Sequence, residues 1–594
     1  MTATANLRAA LELVDGLAAG GVAHAFVSPG SRSSPLAVAC ALHPAIEAVP
    51  VLDERAAAFA ALAAAAAGDA PALVVATSGS APGNWLPAVL EADHGRVPLV
   101  LASASRPFDL VAVDAPQSTD QDLFGRHARL VVRLDAPSPG TEPRPWRRVG
   151  ARAAAAARDP VPGPVHLDLA FRKPLLPGTI PPAEKALGRR PAGTGDGGPR
   201  FHPALRLPAE AALDALATRV RAARRPVLVA GPGPVSRRRS LRAVARFCRG
   251  TGVPLLAEAS SGWRFRGPGL ADLPAGDRFD LFWRHPGGRE ALHPDLVLLA
   301  GLPPVSRGLA MLLAEDPGLP VVILADHGWN DPWHRAVEVV AGDPAATLAG
   351  LAERLAGRGA DPAWTAAWSR AEAAADEAEA ALAVEEEGRG PLAEALAVRT
   401  LVEALPPGTL LLPGNGMAVR ELDLHVPGGA ADLAVVHRRG QSGIEGYLAA
   451  LAGAARTWRE GPVVALAGDL AARHDAGSLE VLAGTGAPAL AVVLDNGGGR
   501  IFDRLPVAAA RGLGPAFRDL FRLPGGPDPV RLAEAHGLLA ERAATAEELA
   551  AAVRRVLEAG GPGLVAVATD GDGIGARLDR LVAETARAAG WTHG

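Results

Sequence analysis

The chain has 594 residues, of which 49% are hydrophobic and 21% are charged, and its formal net charge is −4. This length and composition predict a folded protein of several domains, since one domain typically takes about 100–200 residues. The small net charge gives no global signal for nucleic-acid binding, and no apolar run is long enough to span a membrane.

Cysteine and lysine usage excludes further classes of chemistry. The two cysteines, Cys40 and Cys248, lie far apart in the sequence, which argues against a disulfide scaffold or a cysteine metal site and favours a cytoplasmic location. The two lysines, Lys173 and Lys185, fall in a proline-rich stretch, so a Schiff-base lysine is not expected. The remaining cationic side chains are arginines, which suit carboxylate recognition, although a GC-rich genome is the simpler explanation.

Strand-like and helix-like segments alternate along the chain and predict parallel sheets. The candidate strands of the first part are "AHAFVS", "ALVVATS", "PLVLASA", "ARLVVRL" and "PVHLDLA". Those of the second part are "PVLVAG", "VPLLAEA", "DLVLLAG" and "PVVILAD". Those of the third part are "GTLLLPG", "ADLAVVH", "PVVALAG", "LAVVLDN" and "GLVAVAT". The predicted fold class is therefore α/β, with three doubly wound parallel-sheet domains.

Composition shifts set the expected domain boundaries. A Pro- and Gly-rich stretch predicts a linker, and an Ala- and Glu-rich stretch predicts a long connecting helix. The predicted ranges are 1–182 for the first domain, 183–205 for the linker, 206–358 for a central Rossmann-like domain without a dinucleotide, 359–390 for the connecting helix and 391–594 for the third domain.

The stretch "GPVVALAGDLAARHDAG", residues 461–477, ends a buried strand at Gly468 and places Asp469 directly after it. After 26 further residues comes Asn496, at the end of another strand, followed by "GGGRIF". Carboxylate, amide and main-chain oxygens suit Mg²⁺, so Asp469, Asn496 and a carbonyl near Gly498 form a candidate metal site. The helix expected next would offer its N-terminal N–H groups to phosphates. Two ordinary strand-to-helix turns are the alternative.

This arrangement resembles the thiamine diphosphate motif, Gly-Asp followed by roughly 25 residues and Asn. That cofactor also needs a buried glutamate, which the resemblance places on the other type of domain. The segment "VPVLDERAAAFAALAAAAAG" offers Glu54 between an apolar strand and an Ala-rich helix. The alternative is that Asp53 caps the helix and Glu54 complements its dipole.

Longer phrases resemble one family of thiamine diphosphate enzymes, the 2-succinyl-5-enolpyruvyl-6-hydroxy-3-cyclohexene-1-carboxylate synthases of menaquinone biosynthesis. They are "HAFVSPGSRSSPLA", "TSGSAPGNWLPAVLEA", "PLVLASASRPFDL", "GPVHLDLAFRKPL", "RRGQSGIEGYLAALAG" and "VVLDNGGGRIFDRLP". The resemblance runs in order over nearly the whole chain. It implies domains of the thiamine diphosphate-enzyme type, Mg²⁺ or Mn²⁺ as the metal, and a homo-oligomer with active sites at the subunit interface.

The resemblance also implies the reaction and its residues. The family decarboxylates 2-oxoglutarate and adds the succinyl unit to isochorismate, with Glu54 as the catalytic acid. The implied substrate-binding residues are Ser31, Arg32, Arg106, Gln117, Arg307, Arg420 and Arg439. Of these, Arg32, Arg106 and Gln117 would hold isochorismate, and Arg420 and Arg439 the distal carboxylate of the succinyl unit. The implied cofactor-binding residues are Ser442, Gly443, Gly468, Asp469, Leu470, Asn496, Gly498, Ile501 and Phe502.

Several positions depart from the family pattern, namely Asp114, Pro116, Gly416, Arg438 and Glu445. None of them is a candidate for cofactor chemistry, but they bear on substrate geometry. Three other functions stay open: a thiamine diphosphate-dependent 2-oxoacid decarboxylase or carboligase with a different acceptor, a nucleotide-binding module at "VLVAGPGPVS", and a catalytically inactive relative.

Overall fold

The computed structural model describes residues 1–118, 122–140, 142–188, 201–233, 237–358, 361–386, 390–429, 431–437, 440–510 and 512–591. Within these ranges the strands form three sheets, and the paired strands are parallel. The expected α/β class with three parallel-sheet domains is confirmed. By their contacts the residues divide into two compact units, the first made of Met1–Ala204, Arg438–Arg459 and His474–Ala487, and the second of Leu205–His437, Glu460–Arg473 and Pro488–Gly594.

The first sheet lies in the first unit and has the strand order β2-β1-β3-β4-β6-β5. Its strands are β1 (His24–Val27), β2 (Glu47–Pro50), β3 (Ala72–Ala76), β4 (Leu99–Ser105), β5 (Leu130–Leu134) and β6 (Pro164–Ala170). The helices of this part are α1 (Thr2–Ala19), α2 (Ser34–Leu42), α3 (Glu54–Gly68), α4 (Leu86–Gly95), α5 (Phe108–Val111), α6 (Arg144–Ala156) and α7 (Pro182–Gly188). The apolar strand expected just before Glu54 corresponds to β2, which is short, ends at Pro50 and has a single fully buried residue. Helix α7 falls in the stretch expected to be a linker.

The second sheet lies in the second unit, in the order β11-β10-β9-β7-β8. Its strands are β7 (Pro226–Ala230), β8 (Leu255–Ala257), β9 (Leu296–Ala300), β10 (Val321–Ala325) and β11 (Ala336–Ala341). Its helices are α8 (Glu210–Ala222), α9 (Arg237–Thr251), α10 (Phe279–Arg284), α11 (Pro286–Ala291), α12 (Arg307–Glu315), α13 (Pro344–Arg354) and α14 (Pro362–Glu386).

The glycine turn after β7 serves the fold of the second sheet. A Cβ on Gly231 would lie 1.9 Å from the carbonyl oxygen of Leu302, so only glycine allows this close approach of two loops. The backbone N–H of Leu302 also donates to the carbonyl of Pro232 at 2.8 Å. The loop after β9 therefore covers the turn on which a nucleotide-binding module would depend.

The third sheet also lies in the second unit, in the order β12-β18-β16-β15-β13-β14, with β17 paired to β18. Its strands are β12 (Leu392–Ala393), β13 (Thr409–Pro413), β14 (Leu433–Val435), β15 (Val463–Gly468), β16 (Ala489–Asp495), β17 (Leu539–Ala543) and β18 (Pro562–Asp570). The helices of this part of the chain are α15 (Glu394–Ala404), α16 (Met417–His425), α17 (Tyr447–Thr457), α18 (Asp469–His474), α19 (Leu479–Ala483), α20 (Pro515–Phe517), α21 (Pro529–Ala535), α22 (Ala546–Glu558) and α23 (Ile574–Ala588).

Two packing features position the functional candidates. Strands β15 and β16 are neighbours in register, with Gly468 opposite Leu494, so Asp469 and Asn496 follow adjacent strand ends. In the first unit, α17 packs against α3, and a Cβ on Gly453 would lie 1.9 Å from the Ala60 carbonyl oxygen. Small residues thus let the two helix backbones approach closely. None of the described helices is both long enough and apolar enough to cross a membrane.

Candidate functional site

Asp469 stands at the carboxyl end of β15 and is the first residue of α18. Its side chain is 9% exposed, and its Oδ1 accepts the backbone N–H of Leu470 at 2.8 Å. Burial raises the pKa of this carboxyl, although hydrogen bonds from the backbone N–H groups of Leu470 and Gly498 lower it. The charged form is therefore under-stabilised by its own surroundings, which suits a group that meets a cation.

Asn496 follows β16 and is 8% exposed. Its Nδ2 donates to Oε2 of Glu394 at 3.1 Å. Its Oδ1 is buried and has no hydrogen-bond partner among the described residues. A buried amide oxygen without a donor is costly unless something else binds it. A metal ion would fit this atom, since Mg²⁺ takes amide oxygens as ligands.

Glu394 is a residue that sequence reasoning missed. It is the first residue of α15, directly after the two-residue strand β12, and is 3% exposed. Burial, with the neighbouring Glu421 carboxylate, raises the pKa of Glu394 to about 8, and the hydrogen bond from Asn496 opposes this. Because Oε2 of Glu394 accepts a hydrogen bond from Nδ2 of Asn496, Glu394 holds the Asn496 amide with its Oδ1 turned away from Glu394. A lone acid at a helix start gives no sequence signal for such a role.

The glycines that follow Asn496 fix the conformation of the loop. Gly498 has φ +124°, and a Cβ there would lie 2.1 Å from the Arg522 carbonyl oxygen. Only glycine permits this conformation and this contact. The backbone N–H of Gly499 donates to that same carbonyl at 2.7 Å. The predicted third ligand, a carbonyl near Gly498, thus lies on a backbone segment whose conformation is fixed beside Asp469.

The helix expected after the glycines is a short 3₁₀ helix, Arg500–Arg504. It follows Gly497 and Gly498, which both have positive φ. The contact of its N-terminal N–H groups with phosphates stays a prediction. Ile501 and Phe502 lie on this 3₁₀ turn, and the Phe502 ring is 5.4 Å from that of Phe521.

A cleft of about 330 Å³ opens beside Asp469. Arg473 and Arg542 contribute guanidinium groups to its lining, together with Asp495, Gly497 and Asp528. Arg542 donates to Asp528 at 2.7 Å, and Arg473 donates to the Leu523 carbonyl at 3.0 Å. Both signs of charge are therefore present, as a cation with a phosphorylated ligand requires.

The donor set decides which metal fits. Among the described residues, no group of three or more His, Cys, Asp or Glu side chains could hold a metal ion. A site made of one carboxylate, one amide oxygen and main-chain oxygens suits a hard cation such as Mg²⁺ that keeps water and phosphate ligands. The residues at the ends of β15 and β16 thus fit the metal and diphosphate of the implied cofactor.

Glu54 lies in the first unit and is the first residue of α3. Asp53 is the N-cap, and its Oδ1 accepts the backbone N–H groups of Arg55 at 2.8 Å and Ala56 at 3.3 Å. The Asp53 cap agrees with the alternative interpretation, in which Glu54 complements the helix dipole. Glu54 is half-buried, and its Oε2 accepts from Asn84 Nδ2 at 3.2 Å. Its catalytic role stays a prediction.

Three predicted substrate residues come together in the first unit. Arg106 donates to Ser78 Oγ at 2.9 Å and to Gln117 Oε1 at 3.2 Å. Arg32 is 7% exposed and donates to the Phe171 carbonyl at 2.6 Å. Burial, with the charge of Arg106 nearby, lowers the pKa of Arg32. A guanidinium group such as that of Arg32, whose charged form is disfavoured by burial and by a neighbouring cation, favours an anion beside it.

Of the other predicted substrate residues, Ser31 lies in the first unit, and Arg307 and Arg420 lie in the second. Ser31 is exposed, directly before Arg32. Arg307 is exposed at the start of α12, and Arg420 on α16 donates to the carbonyls of Asn415 at 2.8 Å and Gly416 at 2.5 Å. Arg439 lies outside the described residues.

Of the remaining cofactor candidates, Gly468 and Leu470 flank Asp469 and are partly buried. Ser442 and Gly443 lie in the first unit, ahead of α17. The backbone N–H of Ser442 donates to Glu91 at 2.7 Å, and that of Gly443 donates to Glu445 at 2.9 Å.

Two family models match the chain. Residues 7–124 match the thiamine pyrophosphate enzyme N-terminal TPP-binding domain, and residues 433–567 match the C-terminal TPP-binding domain. The first range contains Glu54, Arg32, Arg106 and Gln117. The second contains Asp469 and Asn496. Thiamine pyrophosphate is thiamine diphosphate, so the cofactor expected from the sequence is confirmed.

Curated relatives match along nearly the entire chain. A protein of Sorangium cellulosum is 40% identical over 97% of this chain and 94% of the relative. One of Halobacterium salinarum is 36% identical over 96% of each chain. One of Rubrobacter xylanophilus is 38% identical over 94% of each chain. All three carry the name 2-succinyl-5-enolpyruvyl-6-hydroxy-3-cyclohexene-1-carboxylate synthase.

Proposed function

The chain belongs to the 2-succinyl-5-enolpyruvyl-6-hydroxy-3-cyclohexene-1-carboxylate synthase family of thiamine diphosphate enzymes, and we propose that it catalyses that synthase reaction in menaquinone biosynthesis. In this reaction 2-oxoglutarate loses CO₂ and its succinyl unit adds to isochorismate in a 1,4-addition. The observation that carries the proposal is the pair of adjacent strand ends that present Asp469 and the buried, unpartnered Oδ1 of Asn496.

We propose that Asp469, Asn496 and a main-chain oxygen of Gly498 hold Mg²⁺ or Mn²⁺. The neighbouring cleft of about 330 Å³ would take the diphosphate, with Gly468, Leu470, Ile501 and Phe502 around the cofactor. Ser442 and Gly443 complete the proposed cofactor set. The raised pKa of the Asp469 carboxyl supports this, because a bound cation stabilises the charged form that burial disfavours.

When bound, thiamine diphosphate supplies a carbanion-stabilising heterocycle, which lets a 2-oxo acid lose CO₂ and donate its remaining acyl unit. Glu54 is the proposed catalytic acid, whose carboxyl group would share a proton with the aminopyrimidine of the cofactor. The Asn84 amide, which donates to Oε2 at 3.2 Å, would hold that carboxyl in place. A positioned carboxyl of this kind contributes about 10²–10⁴-fold to turnover.

The substrates of this reaction carry carboxylates, which arginine forks bind well. We propose that Arg32, Arg106 and Gln117 bind isochorismate, with Ser31 beside them. Support comes from the hydrogen bond between Arg106 and Gln117 and from the depressed pKa of Arg32 next to Arg106. Arg307, Arg420 and Arg439 are the proposed cations for the remaining substrate carboxylates, on resemblance.

We also propose a cytoplasmic homo-oligomer in which Glu54 of one subunit serves the metal site of another. Leu52, two residues before Glu54, is 70% exposed in the single chain, so its side chain is available for a contact with a second subunit. Sedimentation across a dilution series tests this. Full activity in a monomer at high dilution would contradict it.

The reaction is tested with purified protein, thiamine diphosphate, Mg²⁺ and 2-oxoglutarate. Loss of isochorismate absorbance is followed alongside CO₂ release. We expect both to occur together and to require the cofactor. Release of CO₂ that ignores isochorismate would point to a different acceptor, and no reaction with 2-oxoglutarate would contradict the proposal.

A further inference from the structure

Glu91, on α4 in the first unit, binds a segment of backbone far away in the sequence. Its side chain is 2% exposed. Its Oε1 accepts the N–H of Gly440 at 3.0 Å, and its Oε2 accepts those of Gln441 and Ser442, both at 2.7 Å. Three consecutive backbone amides therefore converge on one buried carboxylate, an arrangement that normally binds an anionic ligand.

The contact depends on the residue types on both sides. A Cβ on Gly440 would lie 2.9 Å from Oε1 of Glu91 and 2.8 Å from Cδ2 of His94, so glycine lets the segment come this close. A carboxylate only accepts hydrogen bonds, whereas a glutamine of the same shape would turn donors toward the amides. The close approach at Gly440 and the acceptor-only chemistry of a carboxylate both indicate that this backbone segment requires a carboxylate at position 91.

The segment is fixed at its other end as well. Gly446, the N-cap of α17, has φ +69°, and a Cβ there would lie 2.2 Å from Cγ of Phe59 on α3. The backbone N–H groups of Leu448 and Ala449 donate to Oδ2 of the buried Asp475 at 2.7 and 3.1 Å. Residues 440–449 are thus held at both ends. Ser442 belongs to the first attachment, and Gly443 lies between the two.

We propose that Glu91 is a positioning residue for the cofactor-binding segment at Ser442 and Gly443. This inference rests on the proposed function, since it assigns those residues to thiamine diphosphate. Glu91 acts through the backbone amides of Gly440, Gln441 and Ser442 and does not itself touch the ligand. Its loss would leave the first sheet intact while the segment loses its fixed conformation.

The test compares Glu91→Gln with Asp93→Asn, a control on the same helix. Asp93 instead binds Arg129 and His127, at 2.5 and 2.8 Å. Hydrogen exchange by mass spectrometry reads the peptide over 440–446, and titration with thiamine diphosphate in Mg²⁺ gives Kd. For Glu91→Gln we expect faster exchange in that peptide and a roughly tenfold rise in Kd, the size expected for a lost charge-assisted hydrogen bond. Asp93→Asn should change neither.

A second variant guards against misfolding. Gly440→Ala leaves Glu91 in place and pushes a methyl group against its carboxylate, so it should reproduce the faster exchange and the higher Kd. Unchanged exchange and unchanged Kd in Glu91→Gln, with wild-type protein that binds the cofactor, would overturn the positioning role alone. Wild-type protein that does not bind thiamine diphosphate would instead overturn the proposed function.

Discussion

The ends of the third sheet and of the first sheet present carboxyl groups in opposite environments. Asp469 and Glu394 are 9% and 3% exposed, and burial raises the pKa of each. Glu54 is half-buried and next to the exposed Leu52. The comparison indicates that the second unit buries its proposed cation ligands among its own residues, whereas the single chain leaves the proposed catalytic acid only half-buried.

The largest effect is expected from Glu54→Gln. If Glu54 is the catalytic acid, kcat should fall by about 10²–10⁴-fold, because the amide cannot exchange the proton. The Kd for thiamine diphosphate should stay close to the wild-type value, since the proposed metal ligands Asp469 and Asn496 follow strands of the third sheet. A near-normal kcat in the variant would show that Glu54 is not the catalytic acid. Glu54 would then drop out of the comparison between the first and third sheets.

Asp469→Ala should act on binding instead. Loss of a charged metal ligand is expected to weaken Mg²⁺-dependent cofactor binding by about 100-fold or more, measured by calorimetry at fixed Mg²⁺. Asp495→Asn is the matched control, because Asp495 lines the same cleft but lies 3.9 Å from Arg542 and is not a proposed ligand. Equal losses in both variants would show that general negative charge matters there and not a specific ligand.

Glu394→Gln tests whether the Asn496 amide is oriented by its neighbour. A glutamine can donate as well as accept, so Asn496 could turn its nitrogen toward the metal. We expect Mn²⁺ affinity, measured by electron paramagnetic resonance of free Mn²⁺, to fall about 10-fold, as for other partners that orient metal ligands. Glu421→Gln is the control, since Glu421 lies near Glu394 but pairs with His425 at 3.1 Å. An unchanged affinity in Glu394→Gln would contradict the orienting role.

The smallest effect concerns pH. The pKa of Glu394 rises from 4.5 in the unfolded chain to about 8 in the folded protein. A raised pKa stabilises the fold fully below pH 4.5, and this contribution is lost as the pH rises through about 8. The apparent unfolding temperature of the cofactor-free protein should therefore decrease across this range.

The share due to Glu394 is measured by comparing the wild type with Glu394→Gln. Over this pH range, we expect the unfolding temperature to fall by about 1–2 °C less in the variant than in the wild type. Some slope should remain, because the buried Asp423, near Glu258, also has its pKa raised to about 8. Identical slopes in both proteins would contradict the assignment to Glu394.

Apolar runs predicted the fold well because strands buried on both faces of a parallel sheet are continuous in sequence. The strands that escaped notice lack such runs: β12 has two residues, and β11 and β17 each have a single fully buried residue. After Asn496, the helix that the sequence predicted is a short 3₁₀ helix that follows two glycines with positive φ.

Sequence by itself predicted the fold class from its apolar runs and the candidate residues Asp469 and Asn496 from their positions at strand ends. Its resemblance to a known family supplied the family, the cofactor and the role of Glu54. Only the tertiary structure decided which partners orient the candidate residues. Glu394 reaches Asn496 across 102 positions, and Glu91 reaches Ser442 across 351. A hydrogen bond requires its two groups to lie within about 3 Å in space but sets no limit on their separation along the chain. These partners therefore leave no local sequence pattern.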